Sequence, residues 1–240
     1  MATYVLIHGG YTGGWCWRDV AAALRAQGHA VFTPTLTGQG ERAHLLTRET
    51  GMETHVRDVC NVLEFEGLDD VVLVGHSYGT WIMVQAADRM PERVRHLVCL
   101  DGQLFKDGES GMTSRTEEAR EQVRGLARKY GEGWKLPPPP RHSPLWNDFE
   151  DHHWEWVAPR LTPMLLAWFE TPCRVARFWE LRPPGPMVRF TRSPFRGPGG
   201  DFAIARAREL GWRVEHLDAG HYAMVTRPRE VAAVLHEVAS

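Results

Sequence analysis

The chain has 240 residues, a formal net charge of −2, 43% hydrophobic and 24% charged residues, which suits one α/β domain with a full core and is short for two. So even a charge balance gives no footprint for nucleic acid or an anionic membrane, and the absence of a charged leader or long apolar run makes a cytoplasmic protein the expectation. Cys16, Cys60, Cys99 and Cys173 lack C-x-x-C or metal-like spacing and read as free, mostly buried thiols.

Tyr4 to Ile7 is a short apolar strand, and Trp15 to Gln27 carries apolar residues at helical spacing with Gly28 as its stop. A strand from Ala30 to Thr33 follows. The segment Pro34 to Arg42, rich in Pro and Gly, reads as a long surface loop. A helix is expected over Thr54 to Glu66, then a strand over Val71 to Val74, a turn, a helix from Thr80 to Met90, and a strand from Val94 to Leu100. Apolar strands alternating with helices predict a mainly parallel sheet covered on both faces.

The alternation then breaks. Residues 103–185 contain a charged helical run (Glu117 to Tyr130), four consecutive prolines (Pro137 to Pro140), and helix-like pieces at Met164 to Phe169 and Val175 to Leu181. This reads as a helical cap inserted between core segments 1–102 and 186–240. The core resumes with strand Met187 to Thr191, helix Phe202 to Leu210, strand Arg213 to Leu217, a loop holding His221, and a closing helix from Pro228.

Gly75-His76-Ser77-Tyr78-Gly79 is a G-x-S-x-G nucleophile elbow in its required strand-turn-helix setting. A serine hydroxyl needs a base to take its proton. Of the twelve histidines, His221 lies in the loop after the last strand, where its side chain can return over the carboxyl edge of the sheet to Ser77. An acyl-transfer oxyanion needs two backbone N–H donors. These are expected from Tyr78, which follows the nucleophile, and from Gly10 in His8-Gly9-Gly10-Tyr11-Thr12-Gly13-Gly14, with His8 supporting that loop. His152 and His153, as neighbours on different faces, lack a third ligand, so no metal and no cofactor are expected.

Together, His8-Gly9-Gly10 with Gly14-Trp15-Cys16-Trp17, Gly28-His29-Ala30-Val31, Leu36-Thr37-Gly38, Val74-Gly75-His76-Ser77 and Gly220-His221 with Met224 and Val225 resemble the α/β-hydrolases. Within them, the resemblance is to plant-type methylesterases and hydroxynitrile lyases and their bacterial esterase relatives. It implies the α/β-hydrolase fold and covers most of the core. The lyases of that branch carry a threonine after the first-strand histidine and a lysine after the catalytic one; here those positions hold Gly9 and Tyr222. Without the lysine charge, hydrolysis is favoured over cyanohydrin cleavage.

The third triad member is the open point. The family's plant members place it just beyond the strand Met187 to Thr191, where this chain reads Arg192-Ser193-Pro194-Phe195 and has no acid until Asp201. Related hydrolases also use the end of the preceding core strand, here Asp101. A strand end holds a side chain more rigidly than a Gly/Pro-rich loop, which favours Asp101 and leaves Asp201 as the alternative. Asp218 is expected to stabilise the His221 loop.

Trp134, Trp146, Trp154, Trp156, Trp168 and Trp179 fall in the inserted segment, either lining a pocket for a bulky substrate or forming the cap's own core. Trp81 reads as ordinary core. The expected activity is cleavage of a small-molecule carboxylic ester, hydrophobic or aromatic, through Ser77, His221 and Asp101. No nucleic acid or membrane partner is expected, and a homodimer is compatible with the chain. The rivals are a thioesterase or lactonase with the same machinery, a hydroxynitrile-lyase-like C–C lyase, and a non-catalytic ligand-binding module.

Overall fold

Residues 1–177, 185–195 and 197–238 are described by the computed structural model. Strand β1 (Thr3–Ile7) is followed by a 3-10 turn (Gly14–Trp17), α1 (Arg18–Ala26), β2 (Ala30–Phe32), α2 (Met52–Phe65), β3 (Val71–His76), α3 (Gly79–Arg89) and β4 (Val94–Leu100). The segment after β4 holds α4 (Glu117–Tyr130), β5 (Lys135–Leu136), α5 (Asp151–Val157), β6 (Met164–Leu165) and α6 (Leu166–Glu170). The chain then returns through β7 (Pro186–Phe190), α7 (Pro198–Glu209), β8 (Arg213–Leu217), α8 (Ala223–Thr226) and α9 (Pro228–Val238).

Six strands pair in the order β2-β1-β3-β4-β7-β8, all parallel. Side chains alternate across a strand, so β1 and β3 feed two cores. Val5, Ile7, Val71 and Leu73 pack with Val56, Val59 and Leu63 of α2 and Ile82 of α3. Tyr4, Leu6, Val72 and Val74 pack with Val20 and Leu24 of α1 and Val231 and Leu235 of α9. Each such fully buried aliphatic side chain contributes about 2 kcal/mol through removal from water. Parallel pairing also brings the carboxyl ends of the strands to one edge of the sheet, where ligands bind in open α/β sheets.

α4 has the predicted bounds because its ends are locally encoded. The Thr116 side chain accepts from the Ala119 N–H at 3.3 Å, acids occupy the first turn and Arg128 and Lys129 the last. Two other expectations are corrected. Met164–Leu165 is a strand, paired antiparallel with β5, and only Leu166–Glu170 is helical. Val175 to Arg177 is not helical, and the rest of that piece, with Trp179, lies outside the described residues.

The Pro34 to Arg42 loop is not a surface loop: Thr35, Leu36 and Gln39 are buried. Its backbone is tied to distant residues, with the Leu36 N–H donating to His8 Nε2 at 3.0 Å and the Thr37 N–H to Asp58 at 2.7 Å. Those partners come from elsewhere in the chain, so loop composition alone did not reveal the burial.

Candidate active site

At the end of β3 the backbone turns sharply, and Ser77 adopts φ 51°, a left-handed conformation costly for any residue but glycine. The flanking glycines make the turn sterically feasible. A Cβ on Gly75 would lie 2.7 Å from the Thr80 Cα, and one on Gly79 would lie 2.6 Å from the carbonyl oxygens of Ile7 and His8. The Ser77 N–H donates to the Leu100 carbonyl at 3.1 Å. The elbow is therefore wedged between the ends of β1 and β4.

Asp101, directly after β4, is also left-handed, with φ 44°. Its carboxylate and His221 are both buried, with Oδ2 and the His221 Nδ1 2.6 Å apart. Oδ1 accepts from the Phe190 N–H at 3.3 Å and pairs with Arg189 at 3.0 Å. Burial pushes the Asp101 carboxyl up. The hydrogen bond from His221, together with Arg189 and the Ser193 hydroxyl, outweighs this and holds it below the usual carboxylate range. Asp201 sits exposed in the first turn of α7. Where the family places an acid, Ser193 instead hydrogen-bonds Asp101, and Phe195 sets its ring edge-on to His221 with centroids 4.7 Å apart.

The His221 loop is held by His76 and Asp148, which sequence reasoning missed, and by Asp218, as expected. His76 Nε2 donates to the His221 carbonyl at 2.8 Å, because a carbonyl can only accept. Asp148 accepts from the Gly220 N–H at 2.9 Å and from Thr226 at 3.0 Å. A Cβ at position 220 would fall 2.2 Å from Asp148 Oδ1, which explains the glycine. Asp218 accepts from Thr191 at 3.0 Å and pairs with Arg192, tying the same loop to the end of β7. Nothing local in the sequence marks Asp148, which lies 73 residues before His221.

The loop after β1 is equally constrained. His8 is buried, with Nδ1 donating to the Gly9 carbonyl at 2.7 Å and Nε2 accepting from Leu36. Thr12 adds a second hydrogen bond to the Gly9 carbonyl at 3.2 Å. That carbonyl shares a peptide plane with the Gly10 N–H, so fixing one aims the other in the opposite direction. The Tyr222 hydroxyl donates to the Gly10 carbonyl at 2.9 Å, and burial pushes its phenol well above the usual range. Where the lyases carry a cation, this chain thus has a neutral, already engaged phenol.

Gly10, Ser77, Tyr78, Asp101 and His221 all border one cavity of about 590 Å³. Its walls decide between the two readings of the cap tryptophans, and show that Trp81, a buried core residue, also reaches the cavity. Trp81 lines the cavity, together with Met164 and Phe169, whereas Trp134, Trp146, Trp154, Trp156 and Trp168 do not. Trp146 stacks on Tyr222 at 4.7 Å and Trp168 on Tyr78 at 5.4 Å; they buttress site residues from behind. His152 and His153 also depart from expectation: their rings lie 3.9 Å apart. His153 Nδ1 accepts from the Glu150 N–H and His152 pairs with the Glu150 carboxylate. Among the described residues no cluster of His, Cys, Asp or Glu is arranged to hold a metal.

Buried histidines give the site a predictable acid sensitivity. Desolvation lowers His8 and His55 to about 4, and drives His76 well below its usual value. The unfolded chain binds these protons from about pH 6.5 downward while the folded chain refuses them until about pH 4. Stability therefore falls on acidification through that window. His8 and His55 are each expected to cost on the order of 3 kcal/mol between those limits. Urea midpoints measured from pH 7 to pH 4.5 check this, and a flat profile would refute it.

The model of the alpha/beta hydrolase family matches residues 4–234, and the chain belongs to that family. It is an esterase, a carboxylic ester hydrolase. The carbendazim hydrolyzing esterase of Nocardioides sp. (strain SG-4G) is 37% identical over 98% of each chain. Methylesterase 9 of Arabidopsis thaliana is 39% identical over 39% of this chain and 37% of its own length. An extracellular alpha/beta-hydrolase from a Paenibacillus species superposes with a TM-score of 0.88 at 23% identity over 99% of both chains, a likeness of fold. No helix among the described residues is long and apolar enough to cross a membrane.

Proposed function

We propose that the chain hydrolyses small-molecule carboxylic esters through a Ser77-His221-Asp101 triad, with residues 103–185 acting as the cap over the site. The observation that carries this reading is the buried 2.6 Å contact between Asp101 and His221 on a cavity that Ser77 also borders. Asp101 keeps the proton on Nδ1 and leaves Nε2 free to accept the Ser77 proton. Ser77 Oγ then attacks the ester carbonyl carbon, and the N–H groups of Gly10 and Tyr78 stabilise the resulting oxyanion. Collapse breaks the bond to the alcohol, which leaves with the proton from His221. Water, deprotonated by His221, next attacks the acyl-enzyme, releasing the acid and restoring Ser77.

Apolar and aromatic walls suit a hydrophobic or aromatic substrate. The neutral Tyr222 phenol argues against a cyanide-releasing lyase, which needs a cation there. Carbendazim, on which the Nocardioides relative acts, is the first compound to test. A fluorophosphonate probe is expected to label Ser77 in the wild type and to fail in His221→Ala. Absence of labelling at Ser77 in the folded wild type would defeat the reading.

A further inference from the structure

One charged group on the cavity wall has no role in the chemistry above. Arg115 borders the cavity, and its guanidinium donates to the Gly111 carbonyl and lies over the Phe169 ring, 5.0 Å from the centroid. Among the described residues it has no ion pair with a carboxylate. An arginine carries five N–H donors and no acceptor, so one carbonyl and a ring face leave most of its hydrogen-bonding capacity open. Burial lowers it from its usual range, while Tyr11, also on the wall, opposes that shift. A partly desolvated cation of this kind is costly until an anion reaches it.

The rest of the wall does not supply that anion. Asp101 is the one carboxylate among the lining residues, and it is held by His221 and Arg189. Arg115 is thus an unbalanced positive charge inside an otherwise mainly apolar cavity. Its place relative to the chemistry follows from a run of ring contacts. Tyr78, next to Ser77, meets Trp81 at 5.2 Å, Trp81 meets Phe169 at 5.6 Å, and Phe169 lies under Arg115. The Gly111 backbone packs against both of these rings, since a Cβ there would fall 2.4 Å from Trp81 and 3.0 Å from Phe169. The guanidinium, the two rings and the loop they share form one built wall.

We infer that Arg115 is a specificity-determining residue that binds a carboxylate on the substrate, at the far side of the Trp81 and Phe169 rings from the ester undergoing cleavage. The substrate class is a carboxylated ester, such as the half-ester of a dicarboxylic acid. Guanidinium and carboxylate match as a bidentate, charge-assisted pair, and the apolar stretch between charge and ester covers the two rings. This inference rests on the hydrolase reading of Ser77, and the test separates the two.

Wild-type enzyme is assayed on p-nitrophenyl half-esters of glutarate, adipate and suberate against p-nitrophenyl esters of fatty acids of equal length. A second series compares butyrate esters of 3- and 4-hydroxybenzoate with phenyl butyrate, in case the charge sits on the alcohol side. The carboxylated member of at least one series is expected to have kcat/KM at least about tenfold higher, through KM. Arg115→Gln retains a donor for the Gly111 carbonyl but removes the charge. It is expected to erase that preference, and Arg115→Lys to restore part of it. A preference that is absent in both series, or that survives in Arg115→Gln, would overturn the inference. Calorimetric binding of the same half-esters to Ser77→Ala needs no turnover, and Kd is expected to rise about tenfold when Arg115→Gln is added. If no ester of either kind is hydrolysed, the hydrolase reading fails while this binding comparison still decides the role of Arg115.

Discussion

Asp101→Asn is expected to lower kcat by about 10⁴-fold while the protein stays folded. The reason is the orientation that the amide must take. Oδ1 of Asp101 faces two donors, the Arg189 guanidinium and the Phe190 N–H. In the variant the amide oxygen takes that position, because an amide NH₂ there would oppose donor to donor. The NH₂ is then turned toward His221 Nδ1 and donates to it. The imidazole proton moves to Nε2, the nitrogen that has to accept the Ser77 proton, so the histidine is left in the unproductive tautomer. Turnover of p-nitrophenyl butyrate, with near-ultraviolet circular dichroism as the folding check, measures this. Asp201→Asn is expected to match the wild type, and the reverse result would reassign the triad acid.

Gly79→Ala is expected to destabilise the fold strongly and to impair the site with it. Its Cβ would lie 2.6 Å from two main-chain oxygens at the end of β1, and backbone cannot rotate aside as a long side chain can. The cost is about 3 kcal/mol, or roughly 6 to 12 °C in Tm. The carbonyls pushed away belong to Ile7 and His8, so the Gly9–Gly10 peptide shifts as well. Activity should fall further than the loss of folded protein explains. Gly125→Ala provides the contrast. It lies within α4, where a Cβ would find only the tip of Arg128 at 3.9 Å, and removing a helical glycine should stabilise by about 1 kcal/mol. Thermal melts of both variants, with kcat per folded molecule, test the pair. Equal effects would show that close backbone approach at Gly79 is not what requires glycine.

The parts of the site that were legible in the sequence are those with a local physical signature. The core strands read as apolar runs because both faces of the sheet are covered, and their bounds came within a residue or two. The elbow was legible because two glycines flank a serine between a strand and a helix, a pattern set by steric need. Asp101 was preferred to Asp201 only for the rigidity of a strand end. What the sequence hid depends on partners distant along the chain. Asp148 holds the His221 loop across 73 residues, and Arg189 faces Asp101 from a neighbouring strand. The tryptophans were undecided for the same reason. An indole buries a large area wherever it lies, and only the packing decided that Trp81 borders the cavity while Trp146 and Trp168 stand behind it.

The neighbouring positions of β4 and β7 have a consequence for how such a protein can change. The chain leaves the sheet after Leu100 and re-enters it at Pro186, and Cys99 and Leu100 pair directly with Met187 and Val188. Both ends of an excursion of some eighty residues are thus clamped side by side. The entropy of closing that excursion is met by strand pairing, whatever its length or content, because closure cost grows only slowly with loop length. The intervening residues can be lengthened, shortened or exchanged as a cassette, with the elbow left in place on β3. An enzyme wired in this way can acquire new substrates by recombination between relatives, at far lower risk to its folding than rebuilding the sheet would carry.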